Sequence, residues 1–85
     1  MKATHIVVVQ SGWIFVGTKP TTMPLDIVKL TDAACVRRWG TTKGLGELAL
    51  SGPLKDTVLD PCGTVEIASA TVLFSIPVAA AQWKS

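Results

Sequence analysis

Between Arg37 and Gly46 the chain reads RRWGTTKGLG: two guanidiniums, an indole, two hydroxyls, an ammonium and three glycines, just ahead of a run with helical spacing. Those residue types share one chemistry, the recognition of an anion. Glycines let backbone amides approach phosphate oxygens, and the free amides at a helix start carry partial positive charge. Arg38 or Arg37 can pair an oxyanion bidentately, and Trp39 offers a face on which a base can stack. The candidate ligand-binding set is therefore Arg38, Trp39, Thr41, Thr42, Lys43 and Gly44. The string is not a P-loop, because GxxxxGK[ST] is absent and Lys43 precedes Gly44. A purely structural assignment uses the same residues: a threonine caps the helix, the glycines turn the chain, Trp39 packs in the core and the arginines form a solvated edge.

Catalytic chemistry finds less material. The single histidine, His5, stands near the start of an apolar run with no Ser or Cys nucleophile motif beside it. Cys35 and Cys62 are far apart in sequence, and with one histidine a closed tetrahedral zinc site would need carboxylates or a second chain. Asp26, Asp32, Glu47, Asp56, Asp60 and Glu66 are scattered without a paired pattern. The expectation is a non-enzymatic protein with no catalytic residues, no metal and no cofactor. Two cysteines allow at most one disulfide, which is not the density of a disulfide scaffold, so reduced thiols are the default.

The elements that must position these groups come from 85 residues, enough for one domain, with residues 79–85 as a tail. A hydrophobic fraction of 48%, a charged fraction of 16% and a mean hydropathy of +0.44 rule out disorder. So much apolar surface exceeds what a small interior can hold, which predicts a homo-oligomer. A net charge of +2 is too small for sequence-independent nucleic-acid binding. The apolar run Ile6 to Val9 is too short for a signal peptide. The uncharged stretch Ile67 to Trp83 is broken by Ser69, Thr71, Ser75 and Pro77, and its alternation at Val72, Phe74, Ile76 and Val78 is that of a strand, so no membrane partner is expected.

Along the chain, Thr4 to Gln10 and Trp13 to Thr18 form a hairpin about Ser11 and Gly12. Ile6 and Val8 face one way and Val7 and Val9 the other, so the first strand is central. Lys19 to Pro24 reads as a linker, and Asp26 to Thr31 with Ala34 to Trp39 as a second hairpin turning near Asp32. In it Arg37 and Arg38 point to opposite faces, so one of them lies near a buried face. Leu45 to Leu50 has helical spacing and is stopped by Gly52 and Pro53. Strands follow at Thr57 to Leu59, Thr64 to Ala68 and Thr71 to Val78, with a turn at Pro61 to Gly63. The sum is a mainly β fold: a small antiparallel barrel or bent sheet of five to seven strands with one short helix. Trp13 suits the cover of a sheet end and Trp83 an intersubunit anchor.

The N-terminal hairpin, LTDAA from Leu30, RRWGTTKGLGELALSGP from Arg37 to Pro53 and the strand after VEI together resemble a family of small uncharacterised proteins of tailed phages and prophages. The most specific part is Trp39 and Gly40 followed by Leu45, Leu48 and Ala49. The resemblance implies a viral origin and a β-rich fold, and it transfers no site. Two functions fit. One is a homo-oligomeric accessory protein in the host cytoplasm that sequesters a small anionic, nucleotide-like ligand. The other is a virion subunit in contact with other viral proteins; an inhibitor of a host enzyme is a third.

Overall fold

A computed structural model of the chain describes residues 3–20, 26–79 and 82–83. Five strands, β1 (His5–Val9), β2 (Ile14–Thr18), β3 (Ile27–Arg38), β4 (Val58–Ala68) and β5 (Val72–Pro77), form one antiparallel sheet in the order β4-β3-β2-β1-β5. One helix, α1 (Leu45–Ser51), crosses from β3 to β4. The fold is thus a mainly β, bent sheet of five strands with one short helix. Residues 21–25, which hold most of the expected linker, lie outside the described residues.

β1 is central, between β2 and β5, and its β-branched residues are buried on both faces. On the first face Ile6, Val8, Ile14, Val16, Ala34 and Val36 pack beneath Leu48 and Ala49 of α1 and beneath Trp83. On the second face Val7 and Val9 pack with Leu30, Ala33 and Ile67.

The second core exists because β3 bends. Where the sequence implies a hairpin turn, the strand runs on through Asp32, which takes a left-handed φ of 48° at a register shift between Leu30 and Ala33. The residue adopts the conformation a turn requires, yet as a bulge it redirects one strand instead of reversing it. Pro61 to Gly63 repeats the outcome in β4: the expected turn lies inside a single strand, with Pro61 opposite Ala34, Gly63 opposite Ala33 and Cys62 left over. An edge strand tolerates that proline because it needs no donor on its outer side.

Topology shows how far the sheet curls. β4 and β5 stand at opposite edges, four strand spacings apart, which is about 19 Å in a flat sheet. Only the short 3-10 turn Ser69–Thr71 joins them, and the four Cα steps from Ala68 to Val72 reach at most about 15 Å. The edges must therefore converge at this corner. No ladder joins β4 to β5, so the sheet is bent without being closed.

Trp83 is buried and donates its Nε1–H to the Ala49 carbonyl, so its ring belongs to this chain's own core and not to an intersubunit contact.

Candidate functional site

The loop singled out in the sequence bonds largely to itself. Thr41 Oγ1 donates to the Gly44 carbonyl at 2.7 Å, and the Lys43 amide donates to Glu47 Oε1 at 2.8 Å. Thr42 Oγ1 lies 3.4 Å from the same carboxylate oxygen. Glu47 has folded back from the first turn of α1 as the glutamate of a capping box does. The N-cap is Gly44 at φ 80°, with no side-chain cap, in place of the expected threonine. The carboxylate held by the Thr42 hydroxyl and the Lys43 amide is the chain's own. Glu47, three residues after Gly44, is the sequence signal for this arrangement.

Trp39 sits over the same loop. A Cβ at Gly44 would stand 3.6 Å from its ring, and 41% of Trp39 remains exposed, so the residue covers the loop at the surface and does not enter the core. Its carbonyl accepts Thr57 Oγ1, tying the exit of β3 to the entry of β4.

Arg37 and Arg38 end β3, and both are exposed; neither lies at a buried face. The irregular ladder here, with Val36 opposite Leu59 but Arg38 opposite Val58, lets both side chains reach solvent. Arg37 Nε holds Asp60 Oδ2 at 3.0 Å, the one ion pair among the described residues.

Two open clefts meet at this rim. The larger, about 590 Å³, runs between the Ser11–Gly12 turn, Trp13, Cys35, Arg37 and Asp60. Trp13 is 58% exposed but not loosely held, because its ring stacks on Phe15 at 6.4 Å between centroids and 13° between planes. The smaller cleft, about 340 Å³, is lined by Arg37, Arg38 and Val58. One side offers a ring face and the other two guanidiniums. Sequence reasoning assigned Trp13 to covering a sheet end and left Arg37 and Asp60 out of the site. Only the β2–β3–β4 register brings them together, through Phe15 opposite Cys35 and Cys35 opposite Asp60.

The titratable groups near these elements are modest. Burial, then the neighbouring Cys62 and Asp60, pushes the Cys35 thiol up, while Arg37 opposes them. Both cysteines are free. His5 Nδ1 lies 2.9 Å from Thr4 Oγ1, and burial followed by the Lys19 charge lowers its pKa. Among the described residues no three His, Cys, Asp or Glu side chains gather in a metal-binding group. No helix among them is long and apolar enough to cross a membrane.

No protein-family model, curated protein or solved structure matches the chain.

Proposed function

We propose that the chain is a non-enzymatic, phage-type accessory protein that holds a small anionic, nucleotide-like molecule at the Trp13, Arg37 and Arg38 rim, acting in the host cytoplasm. The observation that carries this reading is that Arg37 lines both clefts. A flat ring stacks on Trp13 in the larger cleft while an attached oxyanion reaches Arg38 in the smaller one, with Arg37 between them. Thr41 to Gly44 shape the loop beneath Trp39, with Thr41 bonded to Gly44 and with Thr42 and Lys43 engaged by Glu47.

Calorimetric titration with linear and cyclic nucleotides, a nucleoside and inorganic phosphate tests it. Arg38→Ala should weaken nucleotides about tenfold or more, because a shielded charge-assisted bond contributes about 1.5 to 3 kcal/mol. Trp13→Ala should weaken the nucleotides and the nucleoside and leave phosphate unchanged, since base stacking is worth about 1 to 3 kcal/mol. Lys43→Ala should change little. Failure of the wild type to bind any of them overturns the reading. It would favour the second one, a virion subunit, which the exposed Leu73 and Phe74 of β5 support.

A further inference from the structure

The two free edges of the sheet are built differently. β4 carries Asp60 and Glu66, Pro61 removes a donor, and three register shifts interrupt its ladder with β3. Those are the devices by which natural sheets keep an edge from pairing. β5 lacks them over most of its length. No charged residue occurs from Ile67 to Trp83, and after a shift at its start the register with β1 is unbroken from Phe74 to Pro77. No residue of β5 is fully buried, and Leu73 and Phe74 are 60% and 50% exposed.

Among the described residues no strand pairs with the outer side of this edge. Val78 donates its N–H to the Thr4 carbonyl at 2.9 Å. Strand alternation then turns the polar groups of Ile76 and Phe74 toward β1, and those of Ser75, the Leu73 amide and the Pro77 carbonyl outward.

We propose that β5 pairs with β5 of a second copy, antiparallel about a two-fold axis at Ser75, joining two five-stranded sheets into one. The edge is complementary to itself, as a two-fold interface requires. In this register Ser75 faces Ser75 and exchanges both backbone bonds, and each Leu73 amide meets the Pro77 carbonyl of the other copy. Phe74 faces Ile76 twice on the first face, forming aromatic-aliphatic cross-strand pairs. The missing N–H of Pro77 falls at the two ends of the pairing. Shifting the axis to Phe74 would set Leu73 against Ser75 and lose the apolar match. An uncharged strand offers no counter-charge to an acidic or basic peptide and suits another uncharged strand, which its own copy supplies. This inference does not depend on the ligand reading, since the rim lies on β2, β3 and β4.

Sedimentation of the full chain across the micromolar range tests it, together with Ser75→Pro and Phe74→Lys. Ser75→Pro removes an N–H that points away from β1, so it deletes an intermolecular bond and spares the ladder within the chain. Wild type should sediment at twice the 9.0 kDa chain mass and both variants at the chain mass, with unchanged far-ultraviolet circular dichroism. If Ser75→Pro fails to fold, Phe74→Lys carries the mass comparison. In a Cys35→Ser, Cys62→Ser background, Ser75→Cys should cross-link across the axis under mild oxidation, because a bonded antiparallel pair sets its Cα atoms about 5.5 Å apart, within disulfide range. Phe74→Cys in the same background should cross-link poorly. A monomeric wild type, a dimer that survives Phe74→Lys, or stronger cross-linking through position 74 than 75 overturns the proposal.

Discussion

The Trp83 indole and the Ala49 carbonyl form a hydrogen bond of 3.1 Å that closes the molecule across 34 residues of sequence. Ala49 needs such a partner, because its intrahelical donor would be residue 53, which is proline and has no N–H. The Ala79 amide, at 2.9 Å, is the second donor to the same oxygen. Trp83→Ala removes a ring only 1% exposed and should cost about 3 to 5 kcal/mol, measured by urea denaturation. Trp83→Phe should recover most of that, since it keeps the ring's packing and forfeits a bond worth about 1 kcal/mol.

Two glycines with similar backbone angles should respond very differently to alanine. At Gly40, φ 72°, a Cβ would stand 2.3 Å from the Thr57 nitrogen and 2.4 Å from the Asp56 carbonyl carbon. The Asp56–Thr57 peptide would have to move and break the Thr57 to Trp39 bond. At Gly12, φ 88°, nothing lies within 4 Å, so alanine there costs only the left-handed conformation, about 1 to 2 kcal/mol. Thermal melts should show Gly40→Ala to be the more damaging; equal losses would mean that the loop after β3 can yield.

Stability should fall in mild acid. His5 has a folded-state pKa below its usual 6.5, held there by burial and by Lys19. The unfolded chain therefore takes up the proton first, so this contribution is present above the unfolded value and is lost as pH falls through the folded one. Urea midpoints should drop as pH falls below 6.5. His5→Gln should flatten that part of the profile.

The thiols should label in order. Cys62 is exposed, whereas Cys35 is half-buried with its pKa raised, and only the thiolate reacts. A disulfide reagent at mildly alkaline pH should modify Cys62 first and Cys35 later. Arg37→Ala should slow Cys35 further, because the guanidinium is the group that favours its thiolate.

Period-two alternation made the sheet, the central β1 and the hairpin at Ser11 and Gly12 readable, and the spacing of Leu45, Leu48 and Ala49 located α1 to within a residue of its end. Strand count was harder. Asp32 and Pro61 to Gly63 carry turn chemistry, and the same chemistry serves a bulge; only the pairing partner decides which, and it lies elsewhere in the chain. The anion-type loop was legible as residue types, but its donors are shared out by Glu47, whose spacing from Gly44 reads as a capping signal only once Gly44 is known to be the N-cap. Trp83 eluded local reasoning entirely, because the core cluster that takes it in is drawn largely from β1, β2, β3 and α1, distant from it in sequence.

The Ser69–Thr71 corner has a consequence for synthesis. Since β5 docks on β1, β1 leaves the ribosome long before the strand that pairs its second edge. Until residues 72–77 have emerged, Ile6, Val7 and Val8 lie beside an open edge on the nascent chain, and chain closure is long-range and slow to nucleate. Binding by a holdase chaperone during translation should therefore concentrate on the β1–β2 hairpin and end abruptly once β5, just past this corner, clears the exit tunnel.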